Sequence, residues 1–114
     1  MGWSKWIFIA DIDSYIQQNL PEWQGPGCYE LALSRKNGRT RKIVYIGETS
    51  NIRNRIYSYA SYGSHIQYLI DDALKAGNFL YYRFQKKATK DDAILMQNNL
   101  LLKFNYEWNY LLNQ

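Results

Sequence analysis

Tyr29, Tyr45 and Arg55 are the residues of this chain whose types and order could hold and cut a phosphodiester. The tyrosines sit in two short segments, Gly27-Cys28-Tyr29 and Tyr45-Ile46-Gly47, and Gly47 leads into Glu48-Thr49-Ser50-Asn51-Ile52-Arg53-Asn54-Arg55. Hydrolysing a phosphodiester needs a deprotonated water in line with the leaving oxygen, positive charge against the crowded phosphate and help for the departing alkoxide. A guanidinium suits the phosphate. A phenol ordinarily titrates near 10, so a cation must stand beside Tyr29 before it can take a proton near neutrality. Lys42, Arg41 and Arg55 are the candidates for that cation. Each residue alone also has a plain reading. Tyr29 and Tyr45 could pack a strand, Arg55 could be an exposed helix cation, and Asn109 could end a helix or turn. Cys28 reads as a small buried side chain, and His65, near a helix start, as structural or solvent-facing.

These residues need elements to hold them. Cys28–Ser34 alternates with Tyr29, Leu31 and Leu33 on one face, which predicts a strand. Asn37-Gly38 is a hairpin-turn signal, because a tight primed turn needs positive φ at both central residues. Lys42–Gly47 is then the return strand, with Tyr45 and Gly47 on one face. Ser50 or Asn51 can cap a helix reaching Tyr59, on which Arg55 and Tyr59, four apart, share a face, with Ile52 and Ile56 beside them. Ser64 is placed to cap the next helix, where Ile66, Leu69, Ile70, Ala73 and Leu74 follow helical spacing and Gly77 stops it. Phe79–Gln85 reads as a third strand. Thr89-Lys90-Asp91-Asp92 resembles a capping box and opens a helix with an apolar stripe of Ala93, Met96, Leu100, Leu101 and Phe104. Gln97 interrupts that stripe. An unpaired amide there would cost about 1–3 kcal/mol, so it should meet something polar, and the strand tyrosines are the expected partners.

Upstream, Trp3–Ala10 is a short apolar segment of open type. Asp11-Ile12-Asp13-Ser14 offers N-cap chemistry for a helix to Leu20, and Gly25-Pro26-Gly27 breaks the chain. The expected organisation is an N-terminal extension over 1–26 and a main domain over 27–114. The extension could complete the core, cover a sheet face or build a homo-oligomer interface.

A chain of 114 residues suits one domain. Net charge is +4 and the pI about 9.2, compatible with a polyanionic partner. The cations are grouped: Arg35, Lys36, Arg39, Arg41 and Lys42 lie in eight residues without an acid, and Arg83, Lys86, Lys87 and Lys90 form a second group. Two acid-poor groups beside a phosphate site favour nucleic acid. One cysteine excludes an intramolecular disulfide, and one His with one Cys makes no zinc site. The apolar run Trp6–Ala10 is too short to span a membrane and lacks a signal-peptide pattern. A cytoplasmic protein is therefore expected.

Taken together, these residues resemble the GIY-YIG nuclease superfamily. Its pattern is G-[I/V]-Y, then Y-[I/V]-G, then an Arg ten residues after the second Tyr, matched here by Gly27-Cys28-Tyr29, Tyr45-Ile46-Gly47 and Arg55. A later helix of the family carries a Glu, and an Asn follows near the end. Ala93-Ile94-Leu95-Met96-Gln97-Asn98-Asn99-Leu100 aligns with that helix, with Gln97 at the Glu position, and Asn109 matches the Asn. The run Tyr-Ile-Gly-x-x-x-Asn-Ile-x-x-Arg and Tyr59, where homing-type members carry His, resemble small phage endonucleases and the nuclease domain of UvrC.

The resemblance implies an α+β fold, a small three-stranded antiparallel sheet flanked by helices. It also implies a metal-dependent endonuclease acting on double-stranded DNA, with one Mg²⁺ or Mn²⁺ bound by the Glu. In that scheme Tyr29 is general base, Tyr45 orients water or phosphate, Arg55 holds the scissile phosphate and Tyr59 is a supporting or acid–base partner. Gly47, Lys42 and Asn109 support the site, and Arg35, Lys36, Arg39, Arg41, Arg53, Lys86 and Lys87 would grip DNA. Gln97 departs from the pattern, because a neutral amide is a poor Mg²⁺ ligand. It marks either an engineered Glu-to-Gln change or a natural chain that lost or re-routed catalysis and kept DNA binding. Glu48 and Asp92 are substitute carboxylates off the family position. A structural or partner-binding domain without nucleic acid is the third reading.

Overall fold

The computed structural model describes residues 2–9, 20–35, 41–60 and 64–112. Among them are four strands, β1 (Ile7–Ile9), β2 (Gly27–Arg35), β3 (Lys42–Thr49) and β4 (Asn78–Lys86), and four helices, α1 (Ile52–Ala60), α2 (Gln67–Lys75), α3 (Lys90–Lys103) and α4 (Glu107–Leu112). The strands form one antiparallel sheet in the order β1-β4-β2-β3. The α+β class is as expected. The sheet has one strand more than expected, because residues 7–9 pair with the free edge of β4. Three residues are too few to show a period, so the type of that segment could not be read. The expected N-terminal helix and the Asn37-Gly38 turn lie outside the described residues.

Alternation gives β2 and β3 two different faces. Tyr29 lies opposite Gly47 on β3 and Phe84 on β4, and Leu31 lies opposite Tyr45 and Tyr82. This first face packs with Ile52, Ile56 and Tyr59 of α1 and with Ile66 and Ile70 into the core. On the second face Cys28 pairs across to Glu48, and Glu30 to Ile46 and Arg83. There α3 lies on β2 and β3, and the Cys28 thiol donates to the Ala93 carbonyl at 3.0 Å.

Local chemistry explains where the helices begin. Asn51 caps α1, its Oδ1 accepting from the Asn54 amide at 3.0 Å, and Thr89 caps α3 by accepting from the Asp92 amide at 3.1 Å. Ser64 does not cap α2. The helix starts at Gln67 behind Ile66 without a side-chain cap, and the buried Ser64 hydroxyl has no partner. Gly77 ends the α2 turn at φ 91°, in the left-handed region that glycine adopts at little cost. On α3, Ala93 is buried and Met96, Leu100 and Leu101 are partly buried. Phe104 lies just past the helix end and is 58% exposed, so it leaves the expected stripe.

The described parts of residues 1–26 are bonded into the fold. The Ser4 amide donates to the Phe84 carbonyl at 2.8 Å, and the Ile52 and Arg53 amides at the start of α1 donate to the Gly25 and Trp23 carbonyls. The first turn of a helix leaves its amides without internal partners, so this loop completes the start of the helix that carries Arg55.

Candidate active site

Tyr29, Tyr45, Tyr59 and Arg55 converge on the first face of the sheet. The Tyr29 and Tyr59 hydroxyls are 2.6 Å apart. The Tyr29 ring lies 5.5 Å from that of Tyr59 and 6.1 Å from that of Tyr45, centroid to centroid. Helix α1 brings Arg55 and Tyr59 over the strand pair on one helical face, as their spacing predicted. Gly47 makes the arrangement possible: a Cβ there would fall 2.2 Å from the Tyr29 hydroxyl and 2.3 Å from its ring carbon. The Tyr29 phenol therefore lies across the bare backbone of its cross-strand neighbour.

The electrostatics rank the candidate cations. Burial holds the Tyr29 phenol well above the usual tyrosine range, Tyr59 and Tyr45 push it the same way, and Arg55 pulls it down. Burial likewise raises Tyr45, against the pull of Tyr29 and Arg55, and it raises Tyr59. Burial works against the Arg55 charge, but Tyr29 and Tyr59 outweigh it and hold the guanidinium firmly protonated. Lys42 stands elsewhere: it faces Leu33 near the far end of β3 and is ion-paired with Glu107. Arg41 lies over the Tyr81 ring, 4.6 Å from its centroid, and lines a cavity of about 470 Å³ with Trp3, Glu30, Arg83 and Tyr106.

Asn109 acts on the backbone. Its Oδ1 accepts from the Ile46 amide and its Nδ2 donates to the Ile46 carbonyl, both at 2.9 Å. The side chain thus bonds to β3 as a neighbouring strand would, between Tyr45 and Gly47, and fixes α4 there.

Gln97 is half-buried on α3, and its backbone amide lies beside the Cys28 thiol. Cys28 and Tyr29 leave β2 on opposite faces, so the backbone of α3 at Gln97 lies on the Cys28 side. Among the described residues no hydrogen bond joins the Gln97 side-chain amide to the strand tyrosines. Asp92 is exposed in the first turn of α3. Glu48 sits opposite Cys28, and its Oε2 is buried without a hydrogen-bond partner.

The expected DNA-gripping cations divide. Arg35 is exposed at the end of β2, while Lys36 and Arg39 lie outside the described residues. Arg53 donates to the Pro21 carbonyl at 3.2 Å and so anchors the N-terminal segment. Lys86 is exposed above the Trp23 ring, 5.3 Å from its centroid. The Lys87 backbone amide donates to the Pro26 carbonyl, and its charge acts on Cys28. His65 is the residue that sequence reasoning undervalued: its Nε2 is 3.4 Å from the Tyr45 hydroxyl, and the rings meet edge to face. Sequence offered no signal for this, because the contact depends on how α2 returns over the sheet.

Among the described residues, no group of three or more His, Cys, Asp and Glu side chains gathers to cage a metal. Mg²⁺ keeps several waters and asks for one or two carboxylates. Gln97 does not supply one, and Glu48 is a single half-buried carboxylate, so the described residues do not by themselves make up a divalent-cation site.

A sheet carrying Tyr29 and Tyr45, with Arg55 and Tyr59 brought over it by α1 and with α3 on its other face, has the layout of a small phosphodiester-handling α+β domain. The GIY-YIG domain-containing protein model matches residues 2–70 and 67–114. The chain belongs to the GIY-YIG nuclease superfamily. It is similar to UvrABC system protein C of Fusobacterium nucleatum, 31% identical over 94 residues that make up 82% of this chain and 14% of that protein. The same-named protein of Bacteroides thetaiotaomicron is 31% identical over 97 residues, 85% of this chain and 14% of its own length. Protein EFFECTOR OF TRANSCRIPTION 2 of Arabidopsis thaliana is 25% identical over 126 residues, 86% of this chain and 26% of that protein. The chain thus spans about a quarter or less of these relatives. No helix among the described residues is long and apolar enough to cross a membrane.

Proposed function

We propose that this domain is an endonuclease that hydrolyses phosphodiester bonds of double-stranded DNA with Mg²⁺ or Mn²⁺. The observation that carries the reading is the convergence of Tyr29, Tyr45, Tyr59 and Arg55 on one face, made possible by Gly47. Arg55 is the group to hold the scissile phosphate, since a guanidinium stays protonated and matches phosphate oxygens. Tyr29, the expected general base, is 1% exposed and bonded to Tyr59, and burial raises its phenol well above the usual range; in this reading it positions Tyr59 and Arg55 instead. Tyr45 is less deeply held. It can pass a water's proton outward to His65, whose Nε2 lies on its hydroxyl. The Mg²⁺ or Mn²⁺ would supply charge neutralisation at the phosphate when bound. Arg35, Lys86 and Lys87 would add salt-sensitive contacts to the DNA backbone.

A second reading rests on Gln97: the domain grips nucleic acid without cutting it. Plasmid nicking with Mg²⁺ or Mn²⁺, run on this chain, on Gln97→Glu and on Arg55→Ala, separates the two. The endonuclease reading expects nicking at least tenfold faster for Gln97→Glu than for the parent, and roughly a hundredfold loss on adding Arg55→Ala. Equal inactivity of parent and Gln97→Glu, with fold and DNA binding intact, supports the binding module instead. Absence of DNA binding at low salt sinks both.

A further inference from the structure

The second face of the sheet holds a cavity of about 470 Å³ that the hydrolytic reading leaves unused. Its size falls within the roughly 300–1,000 Å³ of small-molecule sites. Glu30 is part of its lining, and Glu30 and Tyr29 leave β2 on opposite faces. The floor is a closed polar network. Glu30 is 3% exposed, and it accepts from Arg83 Nε at 2.7 Å on Oε1 and from the Tyr106 hydroxyl at 2.6 Å on Oε2. Arg83 is in turn held over the Trp3 and Trp6 rings, 4.7 and 4.5 Å from their centroids. Both oxygens of the buried carboxylate are bonded and its charge is balanced, so the floor asks for no ion.

The rim is different. Arg41 is exposed there. The ion pairs among the described residues join Lys42 to Glu107 and Arg83 to Glu30, so no carboxylate balances Arg41, whose guanidinium lies over the Tyr81 ring. Phe104 lines the same cavity from just past the end of α3 and is 58% exposed. Asn105 follows it, also exposed, with an amide that offers both donors and an acceptor. An unbalanced guanidinium, an exposed ring and an amide are the groups that hold a phosphate, stack a base and read its edge. A purely apolar ligand would leave the Arg41 charge unused, and a bare phosphate would leave the Phe104 ring unused.

We propose that this cavity binds one unpaired nucleotide, with its base against Phe104 and its phosphate on Arg41. A base inside a duplex has both faces stacked and cannot enter, so the site takes single-stranded in preference to paired DNA. The proposal rests on the endonuclease reading only for the choice of DNA as the polymer, and on the cavity's own lining for the nucleotide. A strand held there is anchored across the sheet from the tyrosine cluster, separately from the phosphate that Arg55 would hold.

The test is binding of a dye-labelled single-stranded DNA octamer to the full chain, read by fluorescence anisotropy. A duplex of the same sequence and an octamer of abasic sugars are the comparisons, calorimetry follows free dAMP, and circular dichroism checks the fold. Phe104→Ala should weaken binding of the single strand roughly fivefold or more and leave the abasic octamer and the duplex unchanged. Arg41→Ala should weaken both single strands and flatten the slope of log affinity against log salt by about 0.7, the share of one phosphate contact. Arg41→Lys should recover part of that loss. Single-strand binding unchanged by Phe104→Ala, or weakened equally with and without bases, overturns the proposal, as does absence of binding to both the octamer and dAMP. Phe104-dependent binding of dAMP without binding of the octamer supports the nucleotide site and makes its ligand a free nucleotide. Phe104-dependent strand binding in a protein whose Gln97→Glu form never nicks DNA keeps this site and removes the endonuclease reading. Nicking by Gln97→Glu with strand binding indifferent to Phe104 does the reverse.

Discussion

Gly47→Ala tests the packing on which the site depends. The added Cβ would lie 2.2 Å from the Tyr29 hydroxyl, 2.3 Å from its ring carbon and 2.8 Å from the next one, where ordinary contact begins at 3.4 Å. The ring must retreat by about 1 Å, since both it and the strand backbone are rigid. Tyr29 is 1% exposed and wedged between Tyr45 and Tyr59, so it has no solvent to swing into. Overpacking of this kind costs about 1–3 kcal/mol, and loss of the 2.6 Å bond to Tyr59 adds about 0.5–1.5 kcal/mol. The expected loss is therefore about 2–4 kcal/mol, a large share of the roughly 5–15 kcal/mol of a typical domain. It corresponds to a melting temperature lower by roughly 10–20 °C for a chain of this size. Urea unfolding followed by tryptophan fluorescence measures it. The same substitution in a Tyr29→Leu background should cost under about 1 kcal/mol, because the clashing ring is gone and the two changes are coupled. A loss below about 0.5 kcal/mol in the parent, or equal losses in both backgrounds, would refute the account of Gly47.

Other consequences can be measured on the same protein. Asn109→Leu removes both bonds to Ile46 and should cost about 2–3 kcal/mol, with faster hydrogen exchange at the Ile46 amide. Asn109→Asp keeps the acceptor, loses the donor and should fall between. The buried phenols of Tyr29, Tyr45, Tyr59 and Tyr106 are all raised above their ordinary value by burial. A phenol whose folded pKa exceeds its unfolded one contributes stability that is complete below about pH 10 and is lost as pH rises toward the folded value. Unfolding free energy should hold flat to about pH 9 and then fall, and tyrosinate absorbance should lag that of the unfolded chain. Burial pushes the Cys28 thiol up to about 11, so at pH 8 a disulfide reagent should label it more than tenfold slower in the native protein than in urea.

Much of this was legible before any coordinates. The alternation around Tyr29 and Tyr45 gave the paired strands, and the spacing of Arg55 and Tyr59 put both on one helical face. The Asn51 and Thr89 caps followed from side-chain chemistry that acts within three residues. Such features are local, so sequence alone carries them. The motif spacing likewise sufficed to place the chain in its superfamily, because order, distance and element type are all linear properties.

Tertiary structure decided the rest. It made residues 7–9 a fourth strand, because an unpaired β4 edge was there to receive them. It spent Arg53 on the Pro21 carbonyl and Lys42 on Glu107, leaving Arg55 as the cation of the tyrosine cluster. It turned Asn109 into a clamp on Ile46 and brought His65 to Tyr45. Each of these outcomes depends on which face or edge meets a partner far away in the chain. A list of residues encodes the periods and caps of its elements, but burial, pairing and charge proximity exist only once those elements pack.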